Sequence, residues 1–131
     1  MQNITQTFFA PHLSIPNGVT DISFYGKAFG AVELRRFTNE DGSIHVAEFT
    51  IDGALFHIHE EKPSAGELSP ERANGTTALV GIFVQDVDRL LQRAINAGGQ
   101  LVAPAQSYDY GYRQGEIKDP FGHIWLIEAK V

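Results

Sequence analysis

The chain has 131 residues, 43% hydrophobic and 20% charged, with a formal net charge of −6 at pH 7. That length suits one domain or two small halves sharing a core, and the acidic balance argues against a nucleic-acid backbone as partner. The lack of cysteine excludes disulfides, thiolate metal sites and cysteine nucleophiles.

The first predicted element is a strand from Phe8 to Ile15, rich in aromatic and branched residues. Pro16-Asn17-Gly18 breaks it. Ile22, Tyr25 and Phe29 then fall at helical spacing, which predicts a helix over 19–29 with Gly30 as its stop. Residues 31–38 read as a strand, Asn39 to Gly42 as a turn and 43–51 as the next strand. Asp52-Gly53 is a strong two-residue hairpin signal leading into a strand over 54–60. Residues 61–76 are polar, carry Pro63, Gly66, Pro70 and Gly75, and read as a linker.

The same grammar then repeats. Residues 77–84 predict a strand. Asp86 is a helix cap, and Val87, Leu90, Leu91, Ala94 and Ile95 form an apolar helical stripe that Gly98-Gly99 ends. Strands follow near 100–103, 111–118 and 123–128. The result is one domain with a first module of about 7–60, a linker over 61–76 and a second module of about 77–128. A repeat of ~50 residues implies that each half buries a face against the other or against a second chain.

No basic start with an apolar run and no apolar stretch near ~18 residues occurs. Neither a signal peptide nor a membrane-spanning helix is therefore expected, and no membrane partner. The default expectation for location is the cytoplasm.

Two segments carry a resemblance. Asp119-Pro120-Phe121-Gly122 runs straight into the apolar strand His123-Ile124-Trp125-Leu126-Ile127-Glu128. Phe24-Tyr25-Gly26-Lys27-Ala28-Phe29-Gly30 closes the first helix. Together they resemble the vicinal oxygen chelate superfamily of glyoxalases, bleomycin-resistance proteins and extradiol dioxygenases, over nearly the whole chain. Arg113 and Gly115, ahead of the turn, match a pattern in its PhnB-like branch. The resemblance implies an α+β fold of two βαβββ modules forming a paired, partly open barrel-like sheet with helices outside.

Alternation along strands sorts the side chains into two faces. Phe9, Leu13, Ile15, Phe56, Ile58, Val80, Ile82, Val84, Trp125 and Ile127 are assigned to the helix side. The opposite face carries Phe8, Ala10, His12 and Ser14; Leu55, His57 and His59; Leu79, Gly81 and Phe83; Ile124, Leu126 and Glu128. A mainly apolar surface with a few histidines and one carboxylate suits a small-molecule cavity; the alternative is packing on a partner sheet. Tyr108, Tyr110 and Tyr112 alternate and place three phenol rings on one side. Arg113 suits a ligand carboxylate or phosphonate, or a structural role in the turn. The candidate ligand-binding residues are His12, His57, His59, Tyr110, Arg113 and Glu128. Glu48 and Glu116 read as echoes of the repeat rather than a general-base pair.

Enzymes of the resembled superfamily hold a divalent metal with His and Glu from the first and last strands of each half. By that resemblance the four ligand slots are Ala10, His57, Leu79 and Leu126. Leucine and alanine cannot donate, so the expectation is that no metal is bound and no cofactor is required. A displaced set of His12, His59 and Glu128, with Gly81 leaving an open position, is the alternative; its donors suit Zn or Fe(II). The function expected is small-molecule binding without a catalytic metal, in a homodimer. The competing readings are a metal-dependent lyase, isomerase or dioxygenase acting on vicinal oxygens, and a purely structural module.

Overall fold

Each half of the chain builds a four-stranded mixed sheet, in a computed structural model that describes residues 6–131. The first half runs β1 (His12–Ile15), α1 (Phe24–Phe29), β2 (Val32–Thr38), β3 (Ile44–Ile51) and β4 (Ala54–Glu60), with sheet order β1-β4-β3-β2. After α2 (Pro70–Ala73), the second half runs β5 (Val80–Phe83), α3 (Val87–Asn96), β6 (Gln100–Ser107), β7 (Tyr112–Lys118) and β8 (Ile124–Lys130), with order β5-β8-β7-β6. β1 lies parallel to β4 and β5 parallel to β8; the other pairs are antiparallel. The repeated grammar is therefore one topology used twice. The two sheets stay open rather than closing into a barrel. No helix among the described residues is long and apolar enough to cross a membrane.

The predicted helix over 19–29 shortens to α1 because Asp21 competes for its start. The Asp21 carboxylate accepts hydrogen bonds from both the backbone N–H and the hydroxyl of Ser23. That turn holds residues 21–23 outside the helix. At the other end Gly30 adopts φ 68°, where L-residues are disfavoured, and its N–H returns to the Gly26 carbonyl. α3 matches its sequence pattern closely. Asp86 accepts from the Arg89 N–H at 3.0 Å, and Val87, Leu91 and Ala94 are buried. β6 runs further than predicted, through Pro104. It is an edge strand with register shifts around Ala103, where proline is tolerated.

The helix-side faces of both sheets share one core. Trp125 lies 4.7 Å from Phe29, 5.3 Å from Phe56 and 5.9 Å from Tyr25 between ring centroids. Leu13, Ile15, Phe56, Ile58, Trp125 and Ile127 are all buried, as their alternation predicts. Phe9 is the exception. The strand begins only at His12, so Phe9 precedes it and is 93% exposed.

The two segments that carry the family resemblance meet here. The Asp119 carboxylate accepts from the Phe121 and His123 N–H groups, which closes the turn. It also accepts from the Tyr25 hydroxyl at 2.8 Å and the Trp125 indole N–H at 3.1 Å. Burial, reinforced by the neighbouring Asp119 charge, pushes the Tyr25 hydroxyl well above the ordinary tyrosine range, so it stays a donor.

The linker is tied down rather than free. Glu61 accepts from the Ser69 N–H and from Arg72, each at 3.0 Å. The Arg72 guanidinium, with help from the Ser69 N–H, lowers the Glu61 carboxyl to about 2. Pro70, at the start of α2, then sits against Gly122 of the turn.

Candidate functional site

The face of the first sheet away from the core carries a single polar row across all four strands. His12 pairs in register with His57, His57 with Glu48, and Glu48 with Arg35. The imidazoles of His12 and His57 stack with centroids 4.3 Å apart. His57 Nε2 lies 3.5 Å from a Glu48 carboxylate oxygen, and the other Glu48 oxygen is ion-paired with Arg35. His59 sits one row along, its ring 6.2 Å from that of His12 and 3.9 Å from the Glu67 carboxylate. Burial, with the neighbouring His57 and His59, lowers the His12 pKa below the usual histidine range. Hydrogen bonding to Arg35 lowers that of Glu48. This row can orient a histidine through a carboxylate and offer unprotonated imidazole at neutral pH.

The corresponding face of the second sheet is different in kind. Glu128 is 7% exposed, and its Oε1 accepts from the Gln114 amide at 2.9 Å. The Gln114 oxygen in turn accepts from the Tyr110 hydroxyl. Tyr108 and Tyr110 stack at 5.2 Å, Tyr110 meets Tyr112 at 5.9 Å, and Tyr112 meets Phe83 at 5.8 Å. The three phenol rings do share one side, as the alternation predicts.

The candidates therefore divide. His12, His57 and His59 come together, and Glu128 and Tyr110 come together through Gln114. Within one chain the two groups sit on separate sheets whose opposite faces share the core. Among the described residues no hydrogen bond or ring contact joins them. Arg113 joins neither group. Its alternation places it on the helix side of β7, where its guanidinium donates to both oxygens of Asp88 on α3 and to Ser107. The side chain is engaged there in a paired, fork-like contact.

A divalent ion of the kind the resemblance implies does not fit the donors of one chain. Among the described residues no group of three or more histidines, aspartates and glutamates is placed to hold a metal. His12 and His57 stack, so their nitrogen lone pairs lie in nearly parallel planes instead of converging. Glu128, the third member of the displaced set, belongs to the other sheet. A groove of about 1140 Å³ runs along the β5 edge, lined by Phe9, Phe29, Leu55, Gly81, Phe83 and Trp125 among others.

Sequence reasoning missed the roles of Glu48 and Arg35. The signal was available. In the Asp52-Gly53 hairpin Ile51 faces Ala54, and counting outward sets Glu48 opposite His57. Gln114 faces Glu128 across the Asp119–Gly122 hairpin, a pairing the sequence reading did not count out.

Residues 20–127 match the Glyoxalase/Bleomycin resistance protein/Dioxygenase superfamily. The chain belongs to this superfamily. An uncharacterized protein of Mycobacterium bovis is 36% identical over 125 residues, covering 93% of this chain and 82% of that one. One of Mycobacterium tuberculosis H37Rv has the same identity over 93% and 74%. Among solved members and likenesses, TioX from Micromonospora sp. ML1 has a TM-score of 0.66 at 25% identity over 95% of this chain and 97% of that one. A variant of the fosfomycin resistance protein FosX from Listeria monocytogenes, complexed with Mn(II) and 1S,2S-dihydroxypropylphosphonic acid, has a TM-score of 0.71 at 18% identity over 98% and 93%. At that identity the likeness to FosX is one of fold alone.

Proposed function

We propose that this superfamily member binds a small molecule without a resident catalytic metal, as a homodimer in the PhnB-like branch and in the cytoplasm. What carries the metal-free reading is the donor set: the slots that the superfamily resemblance implies hold Ala10, Leu79 and Leu126, and the histidines that remain are stacked or spread over separate rows. His12, His57, His59, Glu128 and Tyr110 are the residues proposed to contact ligand, with Glu48 orienting His57.

The test is calorimetric titration of the purified protein with Zn(II), Ni(II) and Fe(II), each separately. The expected result is no stoichiometric binding at micromolar concentration. Micromolar or tighter affinity that disappears in both His12→Ala and Glu128→Ala would overturn this reading and favour a metal-dependent lyase, isomerase or dioxygenase, using a site completed by a second chain.

What supports the dimer is the division of the site. The histidine face and the Glu128 face each look away from the shared core, and β1 and β5 are edge strands with one side unpaired. Phe8, Phe9 and Leu79 beside those edges are 55%, 93% and 49% exposed, an apolar surface that a twofold-related copy would cover. Sedimentation at micromolar concentration is expected to show a dimer, and Phe9→Asp to shift it toward monomer. A monomeric native protein would count against the dimer.

A further inference from the structure

Glu128 lacks a cation. Glu128 as a residue is 93% removed from solvent, and a carboxylate so placed normally has a charged partner or several donors. Here its one side-chain hydrogen bond among the described residues comes from the neutral Gln114 amide, to Oε1. None of the ion pairs of the described chain includes it. Room has been left for the other oxygen: a Cβ at Gly81 would lie 2.8 Å from Glu128 Oε2. Gly81 has ordinary backbone geometry, and its lack of a side chain lets the end of the flexible Glu128 side chain lie across the strand.

The surroundings are aromatic. Phe83 pairs in register with Glu128 on the neighbouring strand, and Tyr112 sits on the far side of it on β7. Their rings nonetheless meet at 5.8 Å, edge to face, on the face that carries the carboxylate. Tyr110 extends this wall, held to the same carboxylate through Gln114. Phe83 and Tyr110 remain 59% and 60% exposed, so ring faces are available to a ligand. Electron-rich ring faces beside an uncompensated carboxylate attract positive charge and disfavour anions.

We propose that Glu128 and the wall formed by Phe83, Tyr112 and Tyr110 recognise an organic cation, a protonated amine or quaternary ammonium attached to an apolar or planar body. This rests on the small-molecule-binding reading and names the ligand class for its second-sheet half. The ammonium group sits against Glu128 Oε2, and the body of the ligand lies along the rings.

The test uses three probes of similar size: benzyltrimethylammonium as cation, benzyl alcohol as neutral and phenylphosphonate as anion, each titrated by calorimetry into the native protein. The cation is expected to bind about tenfold or more tightly than either other probe. Glu128→Gln should weaken the cation by about tenfold and leave benzyl alcohol unchanged. Phe83→Ala, at an exposed position that folding tolerates, should weaken the cation as well. Binding of the cation no tighter than the neutral probe, or indifferent to both substitutions, would overturn the inference. If the neutral or anionic probe binds best and responds to Tyr112→Ala, the pocket stands and its cation preference falls. If no probe binds up to millimolar concentration, both fall.

Discussion

Replacing Trp125 with alanine is expected to cost roughly 3–5 kcal/mol of folding stability. The indole is 1% exposed and stands where the two modules join. It touches Phe29 of α1, Phe56 of β4 and Tyr25, so its removal opens a cavity between elements from both halves of the sequence. Those elements cannot collapse together without pulling a sheet out of register, and incomplete collapse is what makes such cavities costly. Trp125→Ala also removes one of the donors to the buried Asp119 carboxylate. Urea unfolding of the native and variant proteins, with equal slopes, measures the loss. A change under about 1 kcal/mol would mean that the core does not join the modules. Full stability with lost ligand binding would mean that the indole serves a pocket.

Asp119→Ala is expected to cost about 3 kcal/mol or more, for a different reason. The carboxylate satisfies four donors at once: the N–H groups of Phe121 and His123, the Tyr25 hydroxyl and the Trp125 indole N–H. Alanine leaves the hydroxyl and indole donors buried without partners, and each such group costs about 1–3 kcal/mol. Asp119→Asn separates the contributions. Its remaining oxygen can still close the turn through Oδ1, while its amide faces the tyrosine and tryptophan as a third donor. An intermediate loss is therefore expected, read from the same urea curves. If asparagine proved as costly as alanine, the buried cluster and not the turn would carry the effect. If alanine were nearly neutral, the cluster would not stabilise the fold.

Much of the architecture was legible because it is written in local rules. Asp52-Gly53 and the capping Asp86 act on residues within one turn of themselves, and each appears in the structure where the pattern placed it. Misses came where a local competitor or a distant contact intervened. Asp21 holds residues 21–23 in a turn through its own side chain, so the first helix starts at Phe24 rather than at 19. Phe9 follows the alternation of a strand that begins only three residues later, so parity assigned it a buried face it does not have. In the candidate site, parity put His57 and His59 on one face of β4, and the register of β1 against β4 set His12 beside them. The placement of Arg113 did not follow from parity, because a position before the turn is compatible with either face until the register of β7 is known.

What the sequence by itself determined is the repeated βαβββ grammar, the burial of Trp125 and the lack of donors at Ala10, Leu79 and Leu126. These depend on residue identity and on spacing within single elements. What only the tertiary structure decided is how the candidates are partitioned. The helix-side faces of both sheets converge on Tyr25, Phe29, Phe56 and Trp125, which sends the histidine row and Glu128 to separate outer surfaces. Asp88 draws Arg113 to the helix side, and Gly81 and Gln114 let a lone carboxylate sit buried beside aromatic rings. Each of these is a contact between residues distant in sequence, set by the packing of two sheets against shared helices, and strand parity carries no information about which distant residue lies across the gap.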